Sequence, residues 1–303
     1  MGPAAPWQAY ACLAGAMALV GAYVGLSKSL VLVFPVFLLA WLRFGIAAMA
    51  MAHWVRRQPG EEALSSRDRK LLFLESFFGN FLFSICMLFG VSLTSALAAG
   101  IIMAAIPAVV ALLSWVLLQE RITRAVLGGI ACAVSGIALV SLTQHTGDSG
   151  TSLAGNLLLI GAVVCEALYV VLGKKLTGRV SAKRISALVN LWGLLLVTPF
   201  GLYQALSFGF SAVQPGAWAL LFFYALAASM WTVWLWMTGL KHIPASRAGI
   251  YTVLLPVTAA IVGVVVLGER FSEVQVAAFG LALVGVVLAT WPSKEADKPT
   301  VRA

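Results

Sequence analysis

Residues 100–136 read GIIMAAIPAVVALLSWVLLQERITRAVLGGIACAVSG, and residues 249–285 read GIYTVLLPVTAAIVGVVVLGERFSEVQVAAFGLALVG. Gly100, Pro107, Glu120, Arg121 and Gly136 of the first stretch are answered by Gly249, Pro256, Glu269, Arg270 and Gly285 of the second, each pair 149 positions apart. Five coincidences at one offset, two of them forming an adjacent Glu-Arg dipeptide, mark an internal duplication, and a repeat governs every later assignment. Toward the start of each unit, Gly15, Ala16, Tyr23, Val24, Leu26 and Lys28 recur as Gly161, Ala162, Tyr169, Val170, Leu172 and Lys174 at an offset of 146. The copies therefore differ by short insertions or deletions.

The medium in which the repeats fold follows from composition. The 303 residues are 61% hydrophobic and only 10% charged, with a mean hydropathy of +0.99, whereas soluble domains carry roughly 25% charged residues. Apolar runs of about 20 residues match the hydrocarbon thickness of a bilayer. Ten such spans are expected, near 7–27, 35–54, 71–92, 94–118, 124–142, 153–173, 185–207, 217–238, 244–267 and 273–291. Between the third and fourth only Ser92, Thr94 and Ser95 interrupt the apolar run, and the repeat requires the corresponding break at Lys241 to Pro244. The expectation is an all-α polytopic membrane protein with a first five-helix repeat over 1–150, a second over 151–292 and a polar tail over 293–303.

The net charge of +9 would point to nucleic acid in a soluble chain, but here the basic residues sit in loops between spans, where they set topology. With the amino terminus inside, sixteen Lys and Arg fall in cytoplasmic segments and two, Lys28 and Arg270, outside. Both termini are thus expected on the cytoplasmic side. No basic region precedes Trp7, so the first span reads as a retained helix and not as a cleaved leader. Five spans per unit is an odd number, so the second unit enters the membrane from the opposite side. Inverted repeats of this kind are a recurrent plan of secondary transporters, because two opposed bundles can open a central site to either face. A duplicated scaffold without flux is the alternative.

The sequence carries no enzyme's signature. Its three histidines, His53, His145 and His242, lie at span ends or in loops, and its aspartates Asp68, Asp148 and Asp297 lie in loops. HExxH, GxSxG, Walker A and Cys/His metal spacings are absent, so neither a metal nor a cofactor is expected. Cys12, Cys86, Cys132 and Cys165 fall singly inside apolar spans and read as small packing residues. Ionisable residues inside spans are costly and informative. Arg43 and Glu166 are near the expected midplane, while Glu75 and Arg247 are expected closer to span ends. Glu166 either faces a cavity, where it could attract an amino group or carry a coupling proton, or is neutralised by Arg43.

The Glu120-Arg121 and Glu269-Arg270 pairs follow one long span and precede the next, and are expected to tie each tight hairpin together at the interface. Pro107 and Pro256 fall inside the preceding spans, where the missing N–H and the ring clash produce a kink that either gates or is static. The fifth and tenth spans are dense in Gly and Ala and read as scaffold and candidate homodimer surface. A pocket for a small molecule is expected elsewhere. In the third span Phe77, Asn80, Phe81 and Ser84 share one helical face, and in the eighth Met230, Trp231 and Trp234 are spaced alike. Tyr23, Ser27, Met103, Glu166, Tyr169, Trp192 and Tyr251 complete the candidate wall, which has the apolar, aromatic-rich composition of small-molecule sites.

Ten spans in two inverted five-helix repeats, each with a Gly…Pro…Glu-Arg hairpin before a small-residue helix, resemble the drug/metabolite transporter superfamily, EamA type, over residues 7–291. The aromatic-rich third and eighth spans are similar to those of the YddG-type bacterial exporters of aromatic amino acids. The resemblance implies an inner-membrane exporter of aromatic or hydrophobic amino acids and related metabolites, with its cavity between the repeats, walled mainly by the first, third, fourth, sixth, eighth and ninth spans. Export of hydrophobic cations is the alternative. Phosphorylated substrates are disfavoured, because Arg43 and Arg247 are the only basic residues near such a cavity.

Overall fold

A computed structural model describes residues 6–57, 61, 63–118, 124–142, 152–176, 180–240, 251, 254–270 and 272–290. The expected break at Lys241 to Pro244, together with Glu120, Arg121, Arg247, Gly249 and the 293–303 tail, lies outside the described residues. Ten helices are described. They are α1 (Pro6–Val31), α2 (Val36–Ala50), α3 (Ser66–Ser92), α4 (Ala96–Met103 and Ile106–Leu118), α5 (Arg124–Leu142), α6 (Leu153–Leu176), α7 (Ala182–Ser207), α8 (Pro215–Leu226 continuing to Thr232–Leu240), α9 (Leu254–Val266) and α10 (Glu273–Thr290). Four of them, Trp7–Val31, Ser66–Ser92, Ala182–Ser207 and Pro215–Trp236, are individually long and apolar enough to cross a membrane, and the remainder include six shorter apolar helices.

Local chemistry sets the helix boundaries. Ser65 closes a capping box on α3: its hydroxyl accepts from the Asp68 N–H at 3.1 Å, and the Asp68 carboxylate accepts from the Ser65 N–H at 3.0 Å. The helix thus begins at Ser66, ahead of the apolar run that starts near residue 71. Ser95 caps α4 by accepting from the Ala98 N–H at 3.0 Å, which places the break between α3 and α4 at Leu93 to Ser95. Pro215 sits in the first turn of α8, where its missing N–H costs nothing.

Two helices carry π-helical turns at matching places, Phe77–Leu82 in α3 and Ala227–Trp231 in α8. Shifted by 149 positions, the first falls on the second. A third π turn, Val262–Val266 in α9, has no counterpart in α4, which is α-helical there.

Helix pairing repeats with the sequence. α1 packs on α8 and α9 as α6 packs on α3 and α4, while α2 meets α7, α4 meets α9 and α5 meets α10. The match extends to single atoms. A Cβ on Gly90 would lie 2.7 Å from Leu159 and 3.2 Å from the Gly155 carbonyl, and one on Gly239 would lie 2.6 Å from Leu13 and 2.9 Å from the Ala9 carbonyl. Gly90 and Gly239 are related by the 149 offset; Ala9 and Leu13 are related to Gly155 and Leu159 by the 146 offset. In lipid no hydrophobic force draws helices together, so close backbone approach at such notches supplies the packing. The chain is a polytopic bundle of two inverted five-helix repeats.

Some of the small residues of α5 and α10 are used within the chain. A Cβ on Gly136 would lie 3.2 Å from the Ala278 carbonyl, and Ala278 and Ala282 are buried at that contact, whereas Ala131, Ala277 and Gly280 are exposed. Part of the small-residue surface expected to serve a homodimer thus holds the two helices of one chain together.

The tightest notch is Gly21 of α1, where a Cβ would fall under 3.0 Å from the Thr258 side chain and from the Leu255 carbonyl of α9. Gly21→Ala is expected to cost about 1–3 kcal/mol as overpacking. Gly280→Ala, with nothing within 4 Å of the new carbon, should stay within about 0.5 kcal/mol of wild type. Thermal unfolding of the two variants in detergent checks the difference.

Candidate functional site

Arg43 is the most deeply buried cation described, 3% exposed on α2. Its Nη2 donates to Ser84 Oγ at 2.6 Å, and Ser84 in turn donates to the Asn80 carbonyl inside the π turn. The guanidinium lies 4.2 Å from the Phe44 ring centroid and 5.8 Å from that of Tyr224, within the range at which an aromatic face stabilises a cation. Arg43 Nε has no hydrogen-bond partner. Among the described residues no ion pair joins Arg43 to Glu166. Of the two alternatives for Glu166, neutralisation by Arg43 is not seen: two aromatic faces and a hydroxyl surround the guanidinium instead.

Glu166 and Tyr169 lie one turn apart on α6, enclosed by the bundle yet retaining accessible surface. Tyr23 of α1, 7% exposed, is within electrostatic reach of both Glu166 and Arg43 and packs edge-on against Tyr224 at 5.9 Å. The structure thus gathers a cation, a carboxyl group and three phenols where α1, α2, α6 and α8 converge.

The remaining wall candidates fall in several places. Ser27, Ser84 and Met103 are sealed in packing contacts; Ser27 donates to the Val24 carbonyl at 2.7 Å and toward the Met87 sulfur at 3.6 Å. Phe77, Asn80, Phe81 and Ser84 do not present one surface. Ser84 turns to Arg43, Asn80 Cβ meets the Gly193 backbone, and Phe77 and Phe81 join a ring ladder with Phe73, Trp192 and Phe200. The π turn is the physical reason, because it changes the angular spacing on which a common face depends.

Met230 packs with Ala47, Met51 and Ala187, Trp231 lies edge-on to Phe223 at 6.0 Å, and Trp234 is 44% exposed. Tyr251 stacks on Tyr10 at 5.8 Å. Tyr10 precedes Tyr23 on α1 by an axial distance of about 20 Å, so Tyr251 is not brought to the Tyr23 cluster.

Three groups carry more weight than the sequence suggested. Glu75 is fully buried on α3 and reaches no interface, and neither of its carboxylate oxygens has a hydrogen-bond partner. Tyr224 is fully buried, its ring 5.8 Å from the Arg43 guanidinium. Cys86 and Cys165, read separately as packing residues, bring their thiols together between α3 and α6, and both are free.

At the far end of α1, Lys28 Nζ donates to the carbonyls of Thr94 and Val91, and Glu269 Oε1 accepts from the Ala96 N–H at 2.8 Å. Glu269 therefore joins the second repeat to the N-terminus of α4, where helix amides and dipole favour a carboxylate. Its own hairpin turns at Gly268, which has φ of 68°, and Arg270 is exposed. α4 breaks at Ala104–Ala105 with Pro107 in the first turn of the following piece, so Pro107 sits at a helix start and not mid-helix, and Pro256 is buried within the described part of α9.

Comparison with known proteins agrees with this architecture. The EamA-like transporter family model matches twice, over residues 7–142 and 153–291. The uncharacterized transporter YetK of Bacillus subtilis (strain 168) is 37% identical over 292 residues, covering 95% of this chain and 88% of that one. A protein of Streptantibioticus cattleyicolor, described as a probable terminal-alkyne amino-acid exporter, is 25% identical over 249 residues, covering 81% of each chain. A solved crystal structure shares the fold with a TM-score of 0.61 at 19% identity, covering 91% of this chain and 94% of its own. The chain is a multi-pass membrane transporter, not an enzyme, and belongs to the EamA-like transporter family.

Proposed function

We propose that this transporter exports amino acids with aromatic or other hydrophobic side chains, and related amphipathic metabolites, by alternating access between its inverted repeats. The observation that carries this reading is the placement of Arg43 and Glu166. Both lie within electrostatic reach of Tyr23, yet they are not paired with each other. A cation without a carboxylate partner among the described residues and a carboxyl group not paired with it, both near one aromatic ring, match the two ends of a zwitterion: the guanidinium takes the substrate carboxylate, and Glu166 takes the ammonium. Tyr23, Tyr169 and Tyr224 supply apolar faces for the side chain. The name of the Streptantibioticus cattleyicolor relative, an amino-acid exporter, supports the same substrate class. The bias of basic residues supports a cytoplasmic side for both termini, as expected of a protein of the inner membrane.

One observation favours a second reading. Glu166 keeps accessible surface while Arg43 is sealed at 3%, which suits a hydrophobic cation that needs only the carboxyl group. Flux of Trp, Phe, Met and an organic cation into proteoliposomes separates the readings: the amino acids move under the first, and only the cation under the second. Under the first reading, Arg43→Gln weakens Phe transport about tenfold or more, the scale of one charge-assisted hydrogen bond, and Glu166→Gln does likewise. Normal Phe flux in both variants would remove the zwitterion site.

The break in α4 before Pro107 supports a hinge there, and Pro256 is its counterpart in the other repeat, near the contact where a Cβ on Gly100 would lie 3.1 Å from Ala259 and 3.6 Å from the Pro256 carbonyl. Pro107→Ala and Pro256→Ala are expected to slow flux while leaving Phe binding intact. Unchanged flux would make both prolines static.

A further inference from the structure

Glu75 is the most anomalous side chain in the bundle. It lies at the end of the α-helical part of α3, on the face formed by Asp68, Leu72, Ser76 and Gly79, all of them buried. Its exposure is 0%, and both carboxylate oxygens lack a partner. An ionised carboxylate without a donor is among the costliest arrangements in a low-dielectric interior. One turn onward, Gly79 gives up its side-chain volume to the Tyr169 ring: a Cβ there would lie under 3.0 Å from three Tyr169 carbons. Tyr169 is within electrostatic reach of Glu75, Glu166 and Tyr23, so it stands between the buried carboxyl group and the candidate substrate site.

The duplication shows that the fold does not require a carboxyl group here. Tyr169 corresponds to Tyr23 at the 146 offset, and Glu75 corresponds to Tyr224 at the 149 offset. Glu75 therefore stands to Tyr169 as Tyr224 stands to Tyr23, and the other repeat fills the position with a neutral phenol. Glu166 corresponds in the same way to Val20. Each repeat thus carries one acid, Glu75 in the first and Glu166 in the second, at a position that the other repeat fills without charge.

The surroundings also select the ligand. Hard cations take six or more oxygens, and no metal-binding group of three or more His, Cys, Asp or Glu exists among the described residues. Around Glu75 its own face carries Leu72, Gly79, Ser76, whose hydroxyl donates to the Val189 carbonyl, and, two turns back, Asp68, engaged by Ser65; α6 adds Tyr169. A single carboxyl group in such a setting takes a proton. Ionisable groups on the elements packed against α3 are few. α1 offers Tyr23 and, toward its ends, Tyr10, Cys12 and Lys28, and α2 offers Arg43, which is bonded to Ser84; among its described side chains α6 offers Glu166, Tyr169 and Cys165, the last engaged with Cys86. α7 offers Arg184, paired with Glu61 at 3.1 Å, Lys183 over the Trp54 ring, and Tyr203 toward its opposite end. The π turn offers none.

We propose that Glu75 is the proton-carrying residue of this transporter: it holds one proton in the closed arrangement and exchanges it, by way of Tyr169 and Glu166, against one substrate moving the other way. The proposal rests on the export reading for its substrate but not for the site itself. The proton leaves the Glu75 carboxyl group when the helices part and water or Glu166 accepts it; on return the carboxylate is reprotonated from the opposite face.

The experiment uses the full chain in proteoliposomes with labelled Phe. Counterflow of Phe, which needs no net proton movement, is measured beside accumulation driven by a pH gradient. One proton per substrate lets a one-unit gradient support up to about tenfold accumulation. Wild type is expected to do both, E75Q to keep counterflow and lose accumulation, and E75D to recover part of it. Accumulation by E75Q at the wild-type level overturns the proposal. So does wild-type counterflow that ignores the gradient, a result that leaves the export reading standing. Absence of wild-type counterflow sinks the amino-acid reading instead, and the proton site is then decided without substrate by infrared spectroscopy. A protonated-carboxyl band present in wild type and missing in E75Q supports the proposal, and its absence from wild type overturns it. Should E75Q fail to fold, the wild-type gradient response and the same band, titrated in wild type and E75D, decide: a band unaltered by E75D overturns the assignment.

Discussion

A bilayer offers no water to a buried polar group and no hydrophobic gain to helices that merely touch, and both halves of this constraint shape the bundle. Backbones must approach closely, so glycine stands wherever a neighbouring helix crosses: Gly21 against Thr258, Gly90 against Leu159 and Gly239 against Leu13. The last two contacts are the same contact made twice, once in each repeat. Architecture built from such notches is symmetric because the duplicated sequence repeats them.

The charges depart from that symmetry. Glu75 of the first repeat stands where the second has Tyr224, and Glu166 of the second stands where the first has Val20. Arg43 is held by aromatic faces and Ser84 without a carboxylate partner among the described residues. A scaffold would gain nothing from these residues and would bear their desolvation. A transporter needs groups whose partners arrive with the substrate or the proton, and a group left unpaired at rest is prepared for that arrival. The Glu269 carboxylate shows the opposite case, since it is engaged by the Ala96 amide and joins the second repeat to α4.

The features that were legible in the sequence are those set by local pattern and by repetition. Span order, the α3–α4 break after Ser92 and the duplicated Gly-Pro frame all follow from short-range chemistry that the chain states twice. Glu75 was misjudged because its depth was counted from the start of the apolar run near residue 71. The Ser65 capping box starts the helix at Ser66, which carries Glu75 about 7 Å further along the helix from its start. The common face expected for Phe77, Asn80, Phe81 and Ser84 assumed a constant 3.6-residue period, which the π turn at Phe77–Leu82 breaks. The meeting of Cys86 with Cys165, and the separation of Arg43 from Glu166, depend on tertiary placement that no spacing along the chain encodes.

The central claim is that Arg43 and Glu166 read the two ends of a zwitterion around Tyr23. Equilibrium binding of Phe to the purified protein, compared with phenethylamine and 3-phenylpropionate, tests it most directly, because each analogue removes one charge and keeps the ring. The account predicts that Phe binds at least about tenfold more tightly than either analogue, the scale of one lost charge-assisted contact. Equal affinity for all three, or tighter binding of the amine, would contradict it.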